Sequence, residues 1–171
     1  MLVRDAVEAD LPAILEIYND AVLNTTAIWN DIVVDLANRA AWLAERQGQG
    51  FPVLVAIAED GTAAGYATYG PFRPHDGYRH TVENSVYVRG GQRGRGVGYA
   101  LLTALVAHGQ TAGLHAMVAA IEAQNTASIR LHAAHGFAEV GHMPQVGAKF
   151  GRWLDLTLMQ RQLDHAKTPP A

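Results

Sequence analysis

The sequence predicts an α+β fold built around a mixed sheet, and three observations carry that prediction. Apolar periodicity switches along the chain between about 2 and 3.6 residues, in the order β-α-α-β-β-β-α-β-α-β-β. A hairpin signal at Asp60-Gly61 joins two of the strands directly. Two later strand–helix–strand passages require crossovers, so parallel and antiparallel neighbours must share one sheet. The 171 residues are enough for one core and leave little for a second. A single domain is expected over residues 1–163, with 164–171 as a frayed tail.

Each element has its own local reason. "LVRDA" is a short first strand, and "EADLPAILEIYNDAV" follows as a helix with Asp10 as N-cap and Pro12 in the first turn. Leu11, Ile14, Leu15 and Tyr18 recur there at helical spacing. The loop "LNTTAIWN" leads to a second helix that starts near Asp35, passes Trp42 and Leu43, and stops at "GQG". "FPVLVAIAEDGTAAGYATYG" gives two strands and "GYRHTVENSVYVR" a third. In that third strand Val82, Asn84, Val86 and Val88 share one face, while Glu83, Ser85 and Tyr87 share the other. Next comes a helix with Val97, Leu101, Ala104, Leu105 and His108 on one stripe. "LHAMVAAI" is a buried strand, and "NTASIRLHAAHGF" a short helix closed by Gly136. "FAEVGHMPQV" and "GRWLDLTLMQRQL" are the terminal strands.

Composition narrows the function. A net charge of -3 gives no reason to expect nucleic acid as a partner. The absence of cysteine excludes disulfides, thiolate metal sites and a cysteine nucleophile. The N-terminus carries no apolar leader, and no apolar run approaches the ~18 residues of a membrane span. A cytoplasmic protein without membrane contact is expected.

The stretch "SVYVRGGQRGRGVGYALL", Ser85 to Leu102, holds five glycines and three arginines at a strand-to-helix junction. There the first helical N–H groups lack internal partners, and the helix dipole presents its positive end. Glycines at 94, 96 and 98 let backbone approach a ligand, and Arg93 and Arg95 add charge. The combination suits a pyrophosphate. It is neither of two familiar phosphate loops. No Gly-Lys-Ser/Thr ending is present, and the G-x-G-x-x-G spacing counted from Gly94 ends on Tyr99.

Arg93-x-x-Gly96-x-Gly98, placed after "SVYV" and opening a helix, resembles the acetyl-CoA loop of the GNAT superfamily of N-acetyltransferases. "NTASIRLHAAHGF" resembles that superfamily's second signature, and the likeness covers essentially the whole chain. "EIYNDAV", "TAIWN", "RHTVENSVYV" and "MPQVGAKFGRWLDLTLMQ" further resemble the phosphinothricin and methionine sulfone/sulfoximine N-acetyltransferases. The resemblance implies the acyl-CoA N-acyltransferase fold, a mixed and mostly antiparallel sheet flanked by helices. It implies acetyl-CoA as donor, a small amino-acid analogue as acceptor, a homodimer, and no metal.

It also implies roles. Arg93, Gly94, Arg95, Gly96, Val97, Gly98 and Tyr99 would hold the pyrophosphate. Val86, Tyr87 and Val88 would lie along the pantetheine as an added strand, with a main-chain N–H near Val88 polarising the thioester carbonyl. Asn125 would reach the pantetheine or cap its helix; Ser128 is a further candidate, and Ala134 matches a cofactor-contacting position. Where many members carry a tyrosine that protonates the leaving thiolate, this chain has His132, which is either that acid or a packed, hydrogen-bonded residue. His132 and His135 lie at helical spacing without an evident third metal ligand.

Acetylating an ammonium of pKa roughly 9 to 10 at neutral pH needs a base. Glu83 matches the subfamily's proposed base in "TVE"; the alternative is a carboxylate that salt-bridges Arg73 or Arg79. Arg73 has the planar fork suited to an anionic or sulfonyl-type group of the acceptor. Pro74 and His75 would shape the same wall, Asn84 and Ser85 flank the base, and Trp29, Phe72 and Phe150 could line the pocket, with Lys149 a second possible cation. Two other functions fit part of the pattern: acetylation of a peptide or protein N-terminus, and a non-catalytic acyl-CoA sensor.

Overall fold

The computed structural model describes residues 1–170, so Ala171, the last residue of the expected tail, lies outside them. Strand β1 (Leu2–Asp5) enters through a 3₁₀ turn, Glu8–Asp10, into helix α1 (Leu11–Asn24). Asp10 does precede the helix, but its carboxylate does not cap it. It accepts instead from the Val7 N–H at 2.8 Å and from Arg4 at 2.7 and 2.9 Å, tying the turn to β1. Helix α2 (Leu36–Gly48) has the expected cap, Asp35 Oδ1 accepting from the Asn38 N–H at 2.8 Å. Strands β2 (Val53–Ile57) and β3 (Ala63–Pro71) form the hairpin around Asp60-Gly61, with Asp60 accepting from the Thr62 N–H at 2.9 Å.

Strand β4 (Thr81–Val88) starts later than the sequence suggested, because residues 76–78 turn through a 3₁₀ segment. Helix α3 (Val97–Thr111), strand β5 (Ala116–Glu122) and helix α4 (Thr126–Ala134) follow. Strand β6 (Ala138–Lys149) runs past the Gly-Ala that reads as its end, and it turns into β7 (Arg152–Gln162) at Phe150-Gly151. Two bulges let it do so, between Glu139 and Gly141 and between Met143 and Gly147. At the second bulge Asp155 Oδ1 accepts from the Gln145 N–H at 2.8 Å, a bond across the hairpin that sequence periodicity does not reveal.

The sheet order is β1-β2-β3-β4-β5-β7-β6. Every pairing is antiparallel except β4 with β5. Helices α3 and α4 cover one face, where Leu101, Leu102, Leu105, Val82 and Met117 are fully or almost fully buried. Helices α1 and α2 cover the other, over Val53, Val55 and Tyr66. Within β4 the two faces divide as the alternation implies: Val82, Val86 and Val88 pack toward α3, and Tyr87 toward α1. Beyond β7, Asp164 accepts from His115 at 2.6 Å, so the segment after Gln162 is tied to the body at that point.

Candidate active site

Strands β4 and β5 pair only at Thr81–Ala116, Val82–Met117 and Glu83–Val118. Beyond Glu83 they part, while β4 stays paired with β3 on its other side. The backbone from Asn84 to Val88 therefore has one edge without a strand partner. The Arg89 N–H donates to Ala64 O at 2.8 Å, on the β3 side. Peptide groups alternate direction along a strand, so the N–H groups of Val88 and Val86 point into the opening. Asn84 stands at its apex. Its Nδ2 donates to Val118 O at 3.0 Å, and its Oδ1 lies 3.0 Å from His132 Nε2.

The opening leads into a cavity of about 830 Å³. Its walls include Val86, Tyr87 and Val88 of β4, and Arg93, Gly94, Gly96, Val97, Gly98 and Tyr99 of the glycine-rich segment. Asn125, Ser128 and Leu131 close it from α4. Gly94 and Gly96 adopt φ of +75° and +80°, a region that L side chains rarely enter. Gly98 serves another purpose: a Cβ there would meet Leu131 at 3.2 Å, so its smallness lets α3 and α4 approach. The first intrahelical bond near the loop is Ala100 N–H to Gly96 O at 3.0 Å, which leaves the N–H groups of Val97, Gly98 and Tyr99 without helical partners. Arg95 is not in the wall; its charge is felt by Asp60 at the β2–β3 turn. Ala134 is also outside, exposed at the far end of α4, about one turn beyond the last lining residue.

A second cavity of about 160 Å³ adjoins the first and shares Ala27, Val86, Tyr87, Asn125 and Ser128 with it. Glu83, Asn84, Ser85, His132 and residues 119–121 of β5 complete its lining. Burial pushes the Glu83 carboxyl above its ordinary value, and the positive charge of Arg73 opposes that shift. Neither Arg73 nor Arg79 forms an ion pair with it among the described residues. Arg73 instead donates to Phe72 O at 3.0 Å, with its guanidinium 4.4 Å from the Phe72 ring centre. Arg73, Pro74 and His75 are exposed and line neither cavity, and Phe72 and Trp29 also stay outside both. Phe150 does join, on the wall of the large one, with φ of 52°.

His132 is 3% exposed: its Nε2 lies 3.0 Å from Asn84 Oδ1, and its Nδ1 lies 2.9 Å from Ser128 O and 3.4 Å from Ser128 Oγ. Burial lowers its pKa. A neutral ring has one N–H: Nε2 can donate to Asn84 Oδ1 while Nδ1 accepts from the Ser128 hydroxyl, which packs the ring at the apex of the opening. Asn125 Oδ1 accepts from the Ser128 N–H at 3.1 Å, capping α4, while the residue still faces the cavity. His135 bonds Thr103 at 3.0 Å and Leu131 O at 2.8 Å. Among the described residues no group of three or more His, Cys, Asp or Glu is placed to hold a metal ion.

Lys149 is not a free cation facing an acceptor. Its ammonium is buried against the carbonyls of Val22, Thr25 and Ile28. The sequence also concealed part of the wall. Ile17, Asp20, Ala21 and Asn24 of α1, the loop residues Thr25 to Ala27, and Glu122 all line the large cavity. The Thr-Thr pair marked a loop, but nothing local says which strand end that loop covers.

The profile of the acetyltransferase (GNAT) domain matches residues 3–158. The chain is 60% identical to the L-methionine sulfoximine/L-methionine sulfone acetyltransferase of Pseudomonas aeruginosa, over 98% of each sequence. It is 41% identical to the phosphinothricin N-acetyltransferase of Alcaligenes faecalis, over 97% of this chain and 84% of that one. Among solved structures it superposes on a phosphinothricin acetyltransferase from Sinorhizobium meliloti in complex with acetyl-CoA. The TM-score is 0.96 at 41% identity, covering 99% of this chain and 92% of that one.

Proposed function

We propose that this chain, which belongs to the GNAT acetyltransferase family and is an acetyltransferase, moves the acetyl group of acetyl-CoA to the α-amino group of a small amino-acid analogue, with Glu83 as general base. The acceptor class is methionine sulfone, methionine sulfoximine or phosphinothricin, after the names of its relatives. One observation carries the reading: a long cavity with unpaired backbone amides at its rim runs directly into a small one that holds a raised, unpaired carboxylate.

The residues present fit the donor. Free N–H groups at Val97, Gly98 and Tyr99, with Arg93 beside them, suit a pyrophosphate. Arg95 would add long-range charge rather than contact. The open edge of β4 offers main-chain groups to an extended amide-bearing arm. Acetyl-CoA, once bound, supplies the activated acyl carbon.

Glu83 takes a proton from the acceptor ammonium and frees its lone pair for attack on the thioester carbonyl. The Val88 N–H, which faces the opening, donates to the oxyanion that forms. Collapse breaks the C–S bond, and the second proton that the attacking nitrogen must lose passes to the departing thiolate or to solvent. A thiol has a pKa of about 8.5, so the thiolate can depart without a strong acid, and no such role is assigned to His132, whose nitrogens face Asn84 and Ser128. Arg73, on the exposed turn before β4, opposes the burial shift of Glu83, and in this reading it meets the acceptor's anionic group, with Pro74 and His75 on the same turn.

The small volume around Glu83 favours a free amino acid over a peptide N-terminus. The homodimer is part of this reading. Strand β6 is a sheet edge bearing exposed Val140, Met143 and Val146, with Trp153 at 68% exposure beside them on β7. The test is a thioester-consumption assay across amino acids, their sulfones and sulfoximines, phosphinothricin and short peptides. Turnover confined to peptides, or absent throughout, would refute the proposed acceptor class.

A further inference from the structure

Lys149 ends β6 far along the chain from the groups it touches, and it is 4% exposed. Its Nζ donates to Val22 O at 2.5 Å, Thr25 O at 2.8 Å and Ile28 O at 2.5 Å. The Val22 carbonyl belongs to the last turn of α1, where helical partners run out and the dipole is negative. An ammonium has three N–H donors, and here each has a carbonyl. Among the described residues no carboxylate forms an ion pair with it. Burial pulls its pKa down and the charge of Asp31 pushes back; the three carbonyls favour the charged form.

The same loop is held at two more points. Thr26 Oγ1 donates to Glu122 Oε2 on β5 at 3.1 Å. The Trp29 indole N–H donates to Thr26 O at 2.9 Å, and its ring lies against Gly147, where any side chain would collide with it. Between these ties sits Ala27, which walls both cavities.

We infer that Lys149 is a positioning residue for acetyl transfer: by gathering three carbonyls it fixes the 25–28 loop, and with it the path of the acceptor amine toward Glu83. This rests on the acetyl-transfer reading of the two cavities. The lysine touches neither reactant and acts through the loop backbone. Methionine would keep an unbranched apolar stem and remove the donors. Arginine would keep the charge, but its flat fork cannot converge three N–H groups from one atom.

Lys149→Met and Lys149→Arg are compared with wild type in three measurements: acceptor KM with methionine sulfone, coenzyme A affinity by titration, and amide exchange over residues 25–28 without ligand. Both variants are expected to raise the acceptor KM about tenfold or more with coenzyme A affinity held within about threefold, a split that general destabilisation would not produce. Exchange over 25–28 should quicken about tenfold relative to the core strands. A wild-type acceptor KM in folded Lys149→Met overturns the inference, even if exchange is faster, since the lysine would then only stabilise. If Lys149→Met does not fold, Trp29→Phe decides by the same measure: it deletes one hydrogen bond to the loop and is expected to raise acceptor KM about threefold. Wild-type protein inactive on methionine sulfone would refute the proposed acceptor, whereas unchanged exchange in the variants would refute the strut itself.

Discussion

The two sides of the opening between β4 and β5 are assembled from pieces at very different separations. On one side, β4, the glycine-rich segment and α3 are continuous in the chain, with the start of α4 joining them after β5, and their contacts with the large cavity follow from local backbone rules. On the other, the end of α1, the 25–28 loop, Glu122 and Phe150 meet only because β7 inserts between β5 and β6 and brings the last hairpin over the first helix. A side made of contiguous backbone is robust to most side-chain changes. A side held by a few long-range polar ties depends on each of them.

Five substitutions would break or sharpen that contrast. The largest effect is expected at Glu83, where the two sides meet. Glu83→Gln should reduce turnover at least ~10²-fold while leaving coenzyme A affinity unchanged; stopped-flow or steady-state thiol release reads the first and calorimetry the second. Normal turnover would remove Glu83 from the mechanism.

On the contiguous side, Gly96→Val should weaken coenzyme A binding about tenfold or more. A Cβ there meets nothing within 4 Å, so the penalty comes from φ of +80° and not from a clash. Gly98→Ala makes the useful contrast, because its φ is ordinary and only the Leu131 side chain must yield. If the two variants bind coenzyme A equally well, the left-handed turn is not what presents the amides.

Asn84→Ala tests the apex. It leaves Val118 O and His132 Nε2 without their buried partner, and a loss of about 1–3 kcal/mol is expected in urea unfolding. A fully neutral outcome would mean that water replaces the amide and that the apex is wet.

The smallest effect belongs to Arg73, an exposed cation. Arg73→Ala should lower acceptor kcat/KM by about fivefold or less, and it should also move the acidic limb of the pH profile. Glu83 must be ionised to accept a proton, so activity falls as pH drops through its raised pKa. Arg73 holds that pKa down, and its removal should therefore shift the limb to higher pH. A limb that stays in place would separate Arg73 from the base electrostatically.

Much of the first side was legible before any coordinates. Alternation along β4 separated Glu83 from Val82 and Asn84. The glycines at 94, 96 and 98 and the arginine at 93 marked the segment that turns unpartnered amides toward the large cavity. Asn125 was readable both as cap and as cavity residue, and it is both. Two expectations fail in a common form. Asp10 and Lys149 are polar side chains whose partners lie elsewhere in the fold, so one does not cap α1 and the other does not face an acceptor. Asn84 and His132, by contrast, meet each other at the apex and still line the small cavity. Arg73, Pro74 and His75 precede Glu83 in the sequence, but their exposed turn lines neither cavity. The end of β6 was misplaced because a bulge secured by Asp155 lets a strand continue through Gly147 and Ala148.

By itself, the sequence determined the element order, the faces of β4 and the loop that presents unpaired amides, because periodicity and positive φ act over a few neighbouring residues. Tertiary structure alone decided that β4 and β5 separate after Glu83, that Asn84 and His132 fill the apex, and that Lys149 reaches back to α1. Those outcomes depend on which buried donor finds which buried acceptor across the fold. A side chain's chemistry states that it needs a partner, but only the folded chain says where that partner is.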